Sequence, residues 1–302
     1  MSSTKKTLAV AVLGGDARQL AVASALSVSG LSVYLWGCVS QEELLPSVYH
    51  CTDWRVAIRN ADVVLLPLPI STNGVHLHAP QCGGEGAVRL DSLLNEAKGR
   101  LILGGRASES FLLRATECGA HCIDYFDSEI LQLKNALPTA EGAIEIAMRE
   151  LPVTLDGTHM AVIGYGRIGD LLSLKLLALG AHVSVYARRS EALALAQLHH
   201  CTAVSIGEDA GAVLSRIPRD VRVIFNTVPA CLFSEEVAKN LPRGCVFIDL
   251  ASSPGGIDRV AAEQYGVRCI WATALPGKYA PETAGQIIAE AAMHILHTEG
   301  LL

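Results

Sequence analysis

Ten residues, Met160-Ala-Val-Ile-Gly164-Tyr165-Gly166-Arg167-Ile168-Gly169, restrict the possible folds more than any other part of this 302-residue chain. An apolar strand ends in Gly-x-Gly-x-x-Gly, a helix-like stretch from Asp170 to Leu179 follows, and Gly180 closes it. A second strand, His182 to Ala187, comes next. That order is a βαβ unit of the dinucleotide-binding kind. Gly164 permits the tight turn, Gly166 lets backbone N–H groups approach a pyrophosphate, and Gly169 lets the helix lie close on the strand. The helix N-terminus favours the phosphate charge. A glycine-rich turn without a ligand is the competing reading.

The end of the second strand bears on which dinucleotide fits. NAD-binding units place an Asp or Glu there to hold the ribose 2′-hydroxyl. Here the chain reads Ala187-Arg188-Arg189-Ser190, with no acid before Glu191. Two guanidinium groups and a hydroxyl suit a 2′-phosphate, which a carboxylate would repel. NADP is therefore favoured over NAD. The competing reading is that Arg188 and Arg189 are solvated charges ahead of a helix that Ser190 caps.

Half of the residues are hydrophobic and only 5% aromatic, with many Ala, Leu, Val and Gly. Such a composition suits helices packed on parallel sheets better than an all-β sandwich. The length predicts two domains. A net charge of −6 and the lack of any basic tract speak against a nucleic-acid surface. No uncharged apolar run reaches the roughly 18 residues a transmembrane helix needs. The short first strand lacks a small-residue cleavage site, so a cytoplasmic protein is expected. Nine scattered cysteines read as reduced thiols. Cys118, His121 and Cys122 form an incomplete ligand set, and no metal is expected.

Strand–helix alternation predicts an α/β fold of two doubly wound parallel sheets with a cleft between the domains. Residues 1–138 would form a flavodoxin-like N-terminal domain, with strands at 7–13, 31–36, 62–66, 101–104 and 121–123, completed by a C-terminal helix at 282–302. A connecting helix, 139–152, would start after Pro138. Residues 153–281 would form the nucleotide-binding Rossmann domain, with strands near 159–163, 182–187, 203–206, 221–226, 245–250 and 267–270. The Gly- and Pro-rich segment from Pro67 to Arg89, which carries His76 and His78, follows a strand's carboxyl end, where open sheets bind ligands.

The first strand–turn, Gly14-Gly15-Asp16-Ala17-Arg18, resembles a nucleotide loop but lacks the third glycine. Asp16 would oppose a phosphate, so this loop is read as degenerate. Arg18 either grips a substrate carboxylate or pairs with Asp16. Thr139 would cap the connecting helix, with Glu141 in its first turn. Asn226-Thr227-Val228-Pro229 ends the fourth strand of the second domain, where the chain passes the nicotinamide ribose. Asp249-Leu250-Ala251-Ser252-Ser253-Pro254-Gly255-Gly256 ends the fifth, and both ligand contact and plain turn chemistry account for it. Leu275 to Gly285 leads into the last helix, whose early N–H groups at Thr283, Ala284 and Gly285 would hold an anion.

Together these segments resemble the A-subunit family of dipicolinate synthase. Its marks are a Gly-Gly-Asp-x-Arg loop, a Pro-Thr-x-Glu-Gly segment, an NADP-type glycine turn, Asp-Leu-Ala-Ser-x-Pro-Gly-Gly, and Leu-Pro-Gly followed by Ala-Pro-x-Thr-Ala-Gly-Gln. Here they fall at 14–18, 138–142, 164–169, 249–256 and 275–286, in one order over nearly the whole chain. Lys278 and Tyr279 occupy a variable part of the last. More distant likeness is to alanine-dehydrogenase-like and 2-hydroxyacid-dehydrogenase-like enzymes.

The resemblance implies an oxidoreductase of sporulating bacteria, acting in the mother-cell cytoplasm. It would oxidise dihydrodipicolinate, formed from 4-hydroxy-tetrahydrodipicolinate, to pyridine-2,6-dicarboxylate with NADP. It would work with a flavoprotein-like B subunit. Arg18, Thr139, Ser252, Ser253 and residues 283–285 would then meet the cyclic dicarboxylate. The glycine turn, residues 187–190, 226–229 and 249–251 would meet the cofactor. Asp16, His78 and Glu141 each qualify as proton acceptor, and the residues do not choose among them. Two alternatives stay open: an NADP-dependent dehydrogenase of a hydroxy or amino acid, and a non-catalytic NADP-binding protein within a complex. Self-association into a homo-oligomer is also open.

Overall fold

The computed structural model describes residues 7–38, 45–82 and 88–302. The chain divides into two compact units, Met1–Asn135 with Ala280–Leu302, and Ala136–Tyr279. Part of the long segment between Pro67 and Arg89 falls outside the described residues.

The first unit contains β1 (Ala9–Leu13), α1 (Arg18–Val28), β2 (Ser32–Trp36), β3 (Val48–His50), α2 (Trp54–Arg59), β4 (Val63–Leu65), α3 (Leu90–Glu96), β5 (Leu101–Gly104), α4 (Glu109–Glu117) and β6 (His121–Asp124). All its strand pairs are parallel, in the order β3-β2-β1-β4-β5-β6. Without β3, the five expected strands stand in the flavodoxin-like order 2-1-3-4-5. β3 was not expected. It has three residues, and Tyr49 lies exposed on it, stacked on Tyr34 with ring centroids 5.2 Å apart.

β1 shows why the sheet needs helices on both faces. Val10 and Val12 enter one core with α1 and α12 (Pro281–Thr298), while Ala11 and Leu13 enter another with α2, α3 and α4. A strand buried on both sides must be apolar throughout rather than alternating. Against α1, α12 comes so close at Gly285 that an added Cβ would lie 2.4 Å from the Arg18 carbonyl oxygen.

The second unit alternates β7 (His159–Ile163), α6 (Arg167–Ala178), β8 (His182–Ala187), α7 (Ser190–Leu198), β9 (Thr202–Ser205), α8 (Ala210–Leu214), β10 (Val221–Asn226), α9 (Glu235–Asn240), β11 (Val246–Asp249), α10 (Arg259–Gln264) and β12 (Arg268–Trp271), ending in α11 (Leu275–Tyr279). Its parallel sheet runs β12-β11-β10-β7-β8-β9, the Rossmann order 3-2-1-4-5-6 read from the other edge. The strand order reverses between β7 and β10, the switch point where such sheets bind ligands. The fold is thus α/β, with two six-stranded parallel sheets.

One expectation is corrected. The helix expected at 139–152 is α5, which starts at Glu129 and runs to Glu150, with Pro138 inside it. Pro138 has no N–H to offer the carbonyl of Lys134, and such a residue normally ends a helix. Here the apolar face continues across it: Leu131, Ala136, Ala140, Ala143 and Ala147 are all buried. Burial of that face outweighs one lost hydrogen bond. Lys134 meanwhile forms an ion pair with Glu290 of α12.

Candidate functional site

At the switch point of the second unit, the three glycines of the turn have three different surroundings. Gly164 adopts φ +90°, and a Cβ there would lie 2.4 Å from the Thr227 hydroxyl. A Cβ added at Gly169 would lie 2.2 Å from the Gly164 carbonyl oxygen. One added at Gly166 would meet nothing within 4 Å among the described residues. The turn is therefore closed against the sheet and open above Gly166. Asp170 donates its N–H to the Gly166 carbonyl at 2.9 Å, so α6 starts there, and the N–H groups before Asp170 have no acceptor in their own helix. Arg167 is exposed, Ile168 packs on the core, and the Tyr165 ring is buried.

The Tyr165 hydroxyl lies 2.9 Å from His199 Nδ1, which also lies 3.0 Å from Asp170 Oδ1. Burial and the Asp170 carboxylate push the Tyr165 phenol well above its ordinary range. The sequence offers little sign of this cluster, because Asp170 and His199 lie 29 residues apart and only the fold brings them together.

β8 delivers Ala187, which is buried, then Arg188, Arg189 and Ser190, which are all exposed. Neither guanidinium forms a hydrogen bond or ion pair among the described residues, and Arg189 is the N-cap residue of α7.

The ends of β10 and β11 are locked together. Asn226, with no exposure, donates through Nδ2 to Asp249 Oδ1 at 2.8 Å and to the Val228 carbonyl at 2.9 Å. Asp249, 2% exposed, also accepts from Ala251 N at 3.1 Å and Gly256 N at 2.7 Å. These two side chains, expected at the cofactor, spend their polar atoms on shaping the loops. Thr227 does likewise, donating its hydroxyl to the Ile163 carbonyl at 2.9 Å. Leu250 and Ala251 are buried, Val228 is half-buried and Pro229 is exposed. Ser252 is half-buried and Ser253 exposed, and neither hydroxyl bonds to another of the described residues.

Glu141 lies on the exposed side of α5, where its Oε1 pairs with Lys175 Nζ of α6 at 2.9 Å. Thr139 is buried in the same helix. Both positions differ from the expected helix start, because α5 begins ten residues earlier.

In the first unit, the turn after β1 is filled by its own chain. The Gly15 N–H donates to the His78 carbonyl at 2.7 Å, and a Cβ on Gly14 would lie 2.8 Å from the same oxygen. Cys38 Sγ donates to the Gly14 carbonyl at 3.1 Å. The contrast with Gly166 is plain: one glycine turn is stoppered, the other open.

Arg18, 6% exposed, forms a two-pronged pair with Asp16: Nε to Oδ1 and Nη2 to Oδ2, each 2.8 Å. Nη2 also donates to the Leu68 carbonyl at 2.5 Å. Burial alone would raise the Asp16 carboxyl, but the hydrogen bonds and charge of Arg18 outweigh it and hold it below the usual carboxylate range. Asp16 is thus a weak proton acceptor, and Arg18 has only Nη1 outside these bonds. Half-buried His78 lies near enough that its charge, when it is protonated, also lowers the Asp16 carboxyl.

At the start of α12, Thr283 is exposed, but Ala284 and Gly285 are buried. The Ala284 N–H already donates to the Ala280 carbonyl at 2.9 Å. The anion-binding expectation is corrected for Ala284 and Gly285, since free donors end one residue earlier.

Residues 9–126 match the family model for the N-terminal domain of the dipicolinate synthase A subunit. The dipicolinate synthase A subunit of Bacillus subtilis (strain 168) is 29% identical over 290 residues, 96% of each chain. The crystal structure of its counterpart from Bacillus halodurans superposes with a TM-score of 0.85 at 29% identity, covering 96% of this chain and 97% of that one. A transhydrogenase from Sinorhizobium meliloti shares the fold at 16% identity and a TM-score of 0.72, over 96% of this chain and 94% of its own. No described helix is long and apolar enough to cross a membrane. By sequence over nearly its whole length and by fold, the chain is similar to the A subunits of dipicolinate synthase.

Proposed function

We propose that the chain binds NADP at the 164–169 turn and oxidises dihydrodipicolinate to pyridine-2,6-dicarboxylate, together with a B subunit, in a sporulating cell. The observation that carries this reading is the open side of Gly166 above the first turn of α6, combined with two exposed arginines just past β8. The N–H groups there suit a pyrophosphate, and Arg188 and Arg189 suit a 2′-phosphate.

The chemistry balances simply. Loss of water from 4-hydroxy-tetrahydrodipicolinate leaves the dihydro ring. That ring then loses one hydride and one proton to become the aromatic pyridine. When bound, NADP supplies the hydride acceptor. Aromatisation supplies driving force, so the protein's work is orientation, carboxylate binding and proton removal. The hydroxyls of Ser252 and Ser253 are candidates for one carboxylate, and the exposed Thr283 hydroxyl is another candidate contact.

Among the three acceptor candidates, His78 is favoured. Asp16 is held ionised by Arg18, and Glu141 is paired with Lys175. Histidine also changes charge near neutral pH, which suits a general base.

The same two ion pairs favour a second reading, in which the chain binds NADP without catalysing and serves its partner. The test is NADPH formation from cyclised substrate by the purified chain, with and without the B subunit. Steady NADPH formation by the chain alone excludes the non-catalytic reading. Turnover with NAD and none with NADP would refute the cofactor assignment.

A further inference from the structure

Tyr165 lies inside the turn proposed to hold the pyrophosphate, yet its ring belongs to the buried core shared by α6 and α7. Its hydroxyl meets His199 Nδ1 at 2.9 Å, and the same nitrogen meets Asp170 Oδ1 at 3.0 Å. A proton on Nδ1 serves both oxygens, and Nε2 is the nitrogen left to take up a second proton. His199 caps the end of α7, the helix whose other end carries Arg189 and Ser190. The cluster therefore ties the glycine turn to the helix that follows the two arginines.

Asp170 sits in the first turn of α6. A carboxylate there complements the positive end of an empty helix, but it opposes a second anion arriving at the same end. We propose that His199 is a positioning residue for the dinucleotide: it fastens Tyr165 and Asp170, and in its protonated form cancels the Asp170 charge that would oppose the pyrophosphate. The proposal rests on NADP binding at 164–169, as stated above. The groups facing the imidazole are Asp170 from α6, Tyr165 from the turn, and the nearby Cys201 thiol, which burial keeps neutral. Asp170 is the charged one among them.

NADP affinity of the wild type, His199→Gln and Asp170→Asn, measured by calorimetry at about pH 5.5 and 8.5, tests this across the range in which a histidine changes charge. The 2′-phosphate also titrates in this range, so the readout is the variant-to-wild-type ratio at each pH, in which that effect cancels. Asp170→Asn is expected to bind about fivefold more tightly than wild type at the higher pH and equally at the lower. His199→Gln keeps a donor for Asp170 but cannot become charged. It should match wild type at the higher pH and bind about fivefold more weakly at the lower.

Ratios that stay the same at both pH values overturn the proposal, because a purely structural role would weaken binding equally throughout. Wild-type protein that binds no NADP at either pH overturns the siting of the cofactor, a separate failure. Thermal melts establish folding, and if Asp170→Asn does not fold, His199→Gln decides alone.

Discussion

The Asn226 amide donates to the Asp249 carboxylate at 2.8 Å, linking the carboxyl ends of two adjacent strands inside the sheet edge. A carboxylate sealed this well needs its donors, since an ionised group left short of partners in the interior is costly. Here three donors meet it, one from the side chain and two from backbone N–H groups of the following loop. Asn226→Ala removes one donor from Asp249 and the Val228 carbonyl's partner. It should lower stability by about 1–3 kcal/mol. Urea unfolding monitors this, and an unchanged midpoint would show that the pair does not organise these loops.

Substitutions at two glycines of the same turn should separate binding from folding. Gly166→Ala meets open space, so the protein should melt normally while NADP affinity falls as the methyl enters the phosphate's approach. Gly169→Ala drives a methyl against the Gly164 carbonyl and should destabilise the unit by about 1–3 kcal/mol. Thermal melts paired with NADP titrations of both variants distinguish the outcomes. Equal behaviour of the two would contradict the assignment of their roles.

Much of this architecture was legible beforehand because parallel strands buried on both faces are written as short apolar runs bounded by turn residues. Every strand expected in the second unit is present within a residue of its place. What escaped detection depended on tertiary contacts. β3 is a three-residue edge strand with an exposed tyrosine, too short to show a pattern. Pro138 looked like a boundary, and only the buried alanines on either side keep α5 continuous. Asn226 and Asp249 looked like ligand contacts, since sequence shows polar residues at a sheet edge but not that they face each other. A clue did exist: Gly256 must lack a side chain, because a Cβ there would lie 2.0 Å from the Asn226 amide nitrogen. Gly285 was likewise read for its N–H when its role is close helix packing.

The Asp16–Arg18 pair should make stability depend on acid in a definite direction. The folded-state pKa of Asp16 lies below its unfolded value, so the pair's contribution is complete above the unfolded value of about 4 and is lost as pH falls through the folded one. Asp16→Asn should flatten this acid limb of the stability curve. Arg18→Ala should cost more, about 3 kcal/mol, by stranding a half-buried carboxylate and the Leu68 carbonyl. Denaturant midpoints between about pH 3 and 7 check both. An acid limb unchanged in Asp16→Asn would show that other carboxylates dominate it.

Gly285→Leu should force α12 off α1, since even a methyl at this position would lie 2.5 Å from the Ala21 Cβ. Overpacking of this kind costs about 1–3 kcal/mol or more. Hydrogen exchange along α12 should rise sharply in this variant, and protection equal to wild type would contradict the close packing.

The decisive measurement is calorimetric titration of wild type and Arg188→Glu with NADP and with NAD. The account predicts that wild type prefers NADP and that the variant loses about tenfold or more of its NADP affinity while NAD binding changes little, as expected when a charge-assisted phosphate contact is reversed. Equal losses for both cofactors, or a wild type that binds neither, would contradict a 2′-phosphate seated beside the 164–169 turn.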